Sequence, residues 1–185
     1  MTDPEKNISL RKPTFTRESA LKLAAGGVLA MASYLAASFL PPYIFYMAYL
    51  VALIAVAYSD LRERRIPNRI IYPAILIALG AMFRFPGWGR ALLGGAVAAL
   101  VFIVPVLIYG PDRAGIGDVK LAFFIGLIFG FSMTLYWALL AGFGSAALVG
   151  LVGILLRKMS RKSLLPFGSF LALGAIAFLI TQMVP

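Results

Sequence analysis

The chain has 185 residues, of which 62% are apolar and 13% charged. It carries a net charge of +10 and contains no Cys and no His; its mean hydropathy is +0.94. A single soluble core of this length could not hide so much apolar surface, which argues against a soluble globular domain and makes lipid the solvent for most of the chain. The missing residue types exclude disulfides, Cys nucleophiles, Cys-ligated zinc, iron–sulfur clusters, a Ser–His–Asp triad and a His proton relay.

Residues 1–19 read as a basic tail and 20–185 as one membrane-embedded domain. The first apolar stretch, about 20–40, is too long for the hydrophobic region of a signal peptide. It reads as a retained span that stops at Pro41-Pro42. Further spans are expected at about 43–59, 70–83, 91–109 and 119–131, then from just after Ser132 to near Leu156, and at about 164–183. The expected fold is an all-α polytopic membrane bundle of about seven transmembrane helices. Gly94-Gly95, Gly142, Gly144, Gly150 and Gly153 suit close helix packing in lipid. No internal repeat is present.

Charge orients the bundle. With the N-terminus in the cytoplasm, Lys6, Arg11, Lys12, Arg17, Lys22, Arg62, Arg64, Arg65, Arg69, Arg113, Lys120, Arg157, Lys158, Arg161 and Lys162 all fall inside; only Arg84 and Arg90 fall outside. The net charge is therefore topology and attraction to anionic lipid. A nucleic-acid partner would need a basic face on a folded soluble module, and none is visible.

All seven acids fall on the inner side or at its boundary. Asp3, Glu5 and Glu18 belong to the tail, which leaves Asp60, Glu63, Asp112 and Asp118. Asp60 ends the second span, where the helix C-terminus carries partial negative charge and disfavours an acid. An interfacial pair with Arg62 or Arg64 is the bland reading, and a functional acid is the other. Asp118 opens the fifth span in Gly115-Ile116-Gly117-Asp118-Val119-Lys120, where a helix cap and a catalytic acid compete. That span would be about 20 Å long against a hydrocarbon core of about 30 Å, so either the bilayer thins or segment 115–118 dips into the membrane as non-helical backbone buried in protein or lining a wet cavity.

Two such acids can face one cavity and share one proton. One is then the base on a water, and the protonated one polarises a carbonyl; no metal or cofactor is needed. Glu63 reads as part of an ion-pair cluster with Arg62, Arg64 and Arg65, and Asp112 as a turn residue. Lys120 reads as a partner of an acid or a lipid phosphate, and a Ser–Lys dyad is its other use. Gly142-Phe143-Gly144-Ser145 loosely resembles an intramembrane serine-protease motif but has no His base. Asn68, after Ile66-Pro67, reads as the cap of the third span.

Together these segments resemble the bacterial type IV prepilin peptidase family, membrane aspartyl proteases of the GxGD type. Ser59-Asp60-Leu61 through Ile66-Pro67-Asn68 resembles the first catalytic motif. Gly115 to Leu121 resembles the second, with its usual Val-Lys continuation. Pro166-Phe167-Gly168 with Phe170-Leu171-Ala172 resembles a late segment in which Ser169 stands where the family often has Pro. The resemblance implies a catalytic dyad of Asp60 and Asp118, supported by Gly115, Gly117, Lys120, Pro67 and Asn68. It also implies cleavage of prepilin-like precursors, which carry a short basic leader, at the cytoplasmic face of the inner membrane. Larger members carry a four-Cys zinc domain linked to N-methylation; with no Cys here, peptidase activity without methyltransferase activity is expected. Two other readings are a small proton- or ion-coupled transporter using the same acids as a relay, and an inert subunit of a pilus assembly. The sequence does not define an oligomeric state.

Overall fold

Pro, Gly and charged turns divide the apolar sequence into seven segments, and each becomes a helix. A computed structural model describes residues 17–84, 87–110, 115–156 and 166–183. Its helices are α1 (Arg17–Phe39), α2 (Pro42–Glu63), α3 (Asn68–Met82), α4 (Trp88–Tyr109), α5 (Ile116–Phe129), α6 (Met133–Leu155) and α7 (Phe167–Met183). Among the described residues there is no strand. Most of the basic tail, with Asp3 and Glu5, lies outside the described residues. So do Asp112, Arg113, Arg157, Lys158, Arg161 and Lys162.

Helices α1, α2, α4 and α6 are long and apolar enough to cross a membrane, and α3 and α7 are shorter apolar helices. Helix α5 has 14 residues. The punctuation has local causes. Pro42 opens α2 behind an extended Pro41, where its fixed φ suits the first turn and its missing N–H is not needed. Ser132 starts α6, and its Oγ accepts the Leu135 N–H at 3.3 Å. Gly130 stops α5 in a positive-φ conformation (φ 63°).

The helix ends depart from the expected ones. The second span continues past Ser59 for another turn to Glu63, so Asp60 is helical; Arg64 then ends it in a left-handed conformation (φ 51°), its N–H donating to the Asp60 carbonyl at 2.8 Å. Helix α5 already begins at Ile116, which puts Asp118 in its first turn rather than in a non-helical entrance. Asp118 is not the cap, since Gly115 holds that position. Asn68 does not cap α3 either. Pro67 holds the cap position, and its carbonyl accepts the N–H groups of Ile70 and Ile71.

The largest fully buried side chains are Leu53 and Val56 of α2, Ile71 of α3, Leu121, Phe124 and Ile125 of α5, and Leu171, Leu179 and Ser169 of α7. These four helices form the centre. By contrast α1, α4 and α6 expose apolar faces, with Met31, Leu107 and Leu151 among the exposed residues, as lipid-facing helices do.

Small residues set the closest approaches. A Cβ on Gly126 of α5 would run into the carbonyl of Gly94 on α4. A Cβ on Gly174 of α7 would lie 2.6 Å from the Gly142 nitrogen on α6. Gly144, expected to pack likewise, faces open space, and Gly150 and Gly153 are half-buried. Gly126→Ala is therefore expected to destabilise the bundle by about 1–3 kcal/mol through overpacking. Gly144→Ala should leave the thermal midpoint of the detergent-solubilised protein unchanged, and measuring the two variants side by side checks both expectations.

Candidate active site

The last turn of α2 and the first turns of α3, α5 and α7 meet at one end of the bundle, and both candidate acids are there. Asp60 is 5% exposed. Its Oδ2 accepts the Ser169 backbone N–H at 2.6 Å and the Ser169 hydroxyl at 2.7 Å. Ser169, 1% exposed, is the third residue of α7. Its N–H is one of the four that a helix start leaves unpaired, at the end where the dipole is positive. The α2 terminus disfavours the acid, and the α7 terminus compensates. The expected pairing of Asp60 with Arg62 or Arg64 does not form. Arg62 Nη1 donates instead to the Tyr58 hydroxyl at 3.2 Å.

Asp118 is half-buried in the first turn of α5. Gly168 brings the two carboxyls together. A Cβ on it would lie 3.1 Å from Asp118 Oδ1 and 3.1 Å from Asp60 Oδ2, so these two oxygens are no further apart than twice that distance. That upper bound is about the span of two contacts of roughly 3 Å through one bridging water. None of the described residues donates a hydrogen bond to the Asp118 side chain.

The glycines of the second motif have steric roles. A Cβ on Gly115 would lie 2.9 Å from Asp118 Oδ2, and one on Gly117 would lie 3.0 Å from the Ile66 Cβ. Ile66 also approaches Gly168, whose added Cβ would be 2.9 Å from its Cδ1. One apolar side chain from the α2–α3 turn thus seats both glycine-bearing helix starts. Phe167 anchors the start of α7, its ring centroid 5.9 Å from that of Phe102 on α4 and 5.2 Å from that of Phe143 on α6.

Lys120 neither pairs with an acid nor joins a Ser. Its Nζ donates to Asn68 Oδ1 at 2.8 Å and sits 4.7 Å from the Tyr72 ring centroid. It therefore ties α5 to α3, which gives Asn68 a role other than capping. The coupling between Lys120→Ala and Asn68→Ala is expected to be about 1 kcal/mol, the size of one net hydrogen bond. A double-mutant cycle on unfolding in detergent measures it.

Glu63 is exposed and makes no ion pair among the described residues, contrary to the expected cluster with its neighbouring arginines. Ser145 Oγ donates back to the Gly142 carbonyl of its own helix at 3.0 Å. A cavity of about 350 Å³ opens at the other end of the bundle, lined by Tyr46, Tyr49, Trp88 and Arg90, and contains neither acid. Gly168, Ser169 and Ile66 are the site residues that sequence reasoning did not assign. The available signal was Ser169 in the first turn of a helix opened by Pro-Phe-Gly, where free N–H groups collect.

The architecture defines a helical membrane bundle with two acids converging at one end. A family model described as the type IV leader peptidase family matches residues 47–151, a range that holds Asp60 and Asp118 and stops before α7. The chain belongs to that family. It is 30% identical over 135 residues to a "Prepilin leader peptidase/N-methyltransferase" of Bacillus subtilis (strain 168), covering 70% of this chain and 52% of the relative. It is 31% identical over 138 residues to a protein of the same description from Burkholderia pseudomallei (strain K96243), covering 69% of this chain and 43% of the relative. The chain thus spans about half the length of these curated relatives. No solved structure matches it.

Proposed function

We propose that this chain is an intramembrane aspartyl endopeptidase. It removes the basic leader of type IV prepilin-like precursors at the cytoplasmic boundary of the inner membrane, with Asp60 and Asp118 as the catalytic dyad. The observation that carries this reading is the convergence of the two carboxyls on Gly168, inside a chain of the leader peptidase family.

The chemistry follows from two close carboxyls that hold one proton between them. The ionised one takes a proton from a water as its oxygen attacks the scissile carbonyl carbon. The protonated one gives its proton to the carbonyl oxygen, forming a gem-diol. The diol collapses as the C–N bond breaks; the leaving nitrogen takes the proton held by the first carboxyl, and a diol hydroxyl returns its proton to the second. No metal or cofactor enters these steps.

Charge supports the side of the membrane. The end that holds the acids also carries Arg62, Arg64, Arg65, Arg69 and Lys120, and the far end carries Arg84 and Arg90, the asymmetry expected of a cytoplasmic face. A transporter relay would place acids through the membrane depth. Asp60 and Asp118 instead sit together at one end.

The test is processing of a purified prepilin-like precursor by the purified chain in liposomes, with N-terminal sequencing of the product. The expected product starts at the boundary between leader and hydrophobic segment. An intact precursor with the protein folded and inserted, together with proton flux across the liposomes, would support the transporter instead.

A further inference from the structure

Asp60 and Asp118 have the same chemistry but different surroundings. Both donors of Ser169 converge on a single oxygen of Asp60, whereas Asp118 receives no hydrogen bond from the described residues. Asp60 is buried at 5% exposure, and Asp118 is half-buried. A hydrogen bond to an ionised acceptor is about twice as strong as one between neutral groups. Two such bonds take both in-plane lone pairs of Oδ2 and leave Oδ1 as the oxygen of Asp60 that is free to accept a proton. The second Ser169 bond also fixes the side chain, because one N–H alone would leave the carboxylate free to swing.

We propose that Ser169 is the positioning residue that divides the work of the dyad. Its backbone N–H and hydroxyl hold Asp60 as the carboxylate that accepts the proton of the attacking water, leaving Asp118 as the carboxyl that gives a proton to the scissile carbonyl. The inference rests on the dyad reading above and assigns each acid its step. Asp60 Oδ2 stays on Ser169, so the water proton goes to Oδ1. As the water oxygen bonds to the carbonyl carbon, the π pair moves to the carbonyl oxygen, which takes the proton from Asp118. On collapse the leaving nitrogen takes the proton from Asp60 Oδ1, and Asp118 regains one from the diol.

Ser169→Ala removes the hydroxyl and keeps the N–H. It is expected to lower kcat about 10-fold, the weight of one charge-assisted hydrogen bond, and to leave KM unchanged, because Ser169 acts on the base and not on the substrate. Ser33→Ala is the matched control. Ser33 is also buried, and its hydroxyl donates to the Ile77 carbonyl at 2.7 Å on the α1–α3 contact; its loss should lower stability and leave kcat alone. The assignment is read separately by infrared spectroscopy, which needs no change at Ser169. The carbonyl stretch of a protonated carboxyl should be present in the unaltered protein and vanish in Asp118→Asn. Wild-type kcat in Ser169→Ala, or a band that survives Asp118→Asn and vanishes in Asp60→Asn, overturns the proposal while the dyad stands. Wild-type cleavage by both Asn variants overturns the dyad and this assignment with it.

Discussion

Asp60→Asn and Asp118→Asn are each expected to lower the initial rate of precursor cleavage about 10³-fold or more, with the protein still folded and inserted. General acid and general base steps each contribute about 10²–10⁴-fold, and neither carboxyl can replace the other once the proton has only one place to go. Asn keeps the shape of Asp and keeps an oxygen that can accept from the Ser169 N–H and hydroxyl, so the α2–α7 contact survives. The measurement is the initial rate in membranes, normalised to the amount of inserted protein. Loss in only one of the two variants would break the dyad into a single working acid and a structural cap.

Gly168→Ala is expected to lower kcat about 10-fold, although Gly168 has no side chain to do chemistry. The added Cβ would meet Asp60 Oδ2 and Asp118 Oδ1, each at 3.1 Å, and Ile66 Cδ1 at 2.9 Å. Ile66 is itself seated on Gly117, where a Cβ would have only 3.0 Å, so it has little room to retreat. The carboxyls must then part. Each oxygen must give by a few tenths of an ångström, and because a displacement near 1 Å at a reacting group can lower the rate about 10²-fold, the expected loss is about 10-fold. The check is kcat for Gly168→Ala beside Gly144→Ala, which enters open space and should behave as the unaltered protein. Equal rates for the two would mean that the acids are not packed around Gly168 as described.

The helices were legible because lipid makes hydropathy a direct readout of fold. The expected spans and the observed helices differ mainly at their ends. Those ends are where the candidate site is, and there the sequence signal fails for a physical reason. The turn 60–63 is polar, so hydropathy ends the second span at Ser59, while backbone hydrogen bonding carries α2 on to Glu63. Asp118 follows two glycines that read as a loop, but a glycine in a first turn breaks no hydrogen bond, and α5 starts at Ile116. Asn68 has the composition of a cap, yet Lys120, 52 positions away in sequence, takes its side chain.

The two acids could be found from placement alone. An acid at a helix C-terminus and an ionisable group in an apolar span both need an explanation. Their surroundings could not be found that way. Asp60 and Ser169 are 109 positions apart, and nothing local to Ser169 says which helix end faces it. As a departure from a familiar segment Ser169 reads as neutral, whereas in the folded chain it is fully buried against the catalytic candidate.

As a catalytic dyad, Asp60 and Asp118 must together stabilise the tetrahedral form of a scissile peptide bond. A prepilin-like peptide in which that amide is replaced by a secondary alcohol cannot be cut and places a hydroxyl between the two carboxyls. The decisive measurement is its affinity for the purified protein in liposomes, compared with the matching uncleavable amide. The alcohol is expected to bind at least about 10²-fold more tightly than the amide, as transition-state mimics do, and both Asp60→Asn and Asp118→Asn are expected to abolish this advantage. An alcohol that binds all three proteins equally would contradict the dyad.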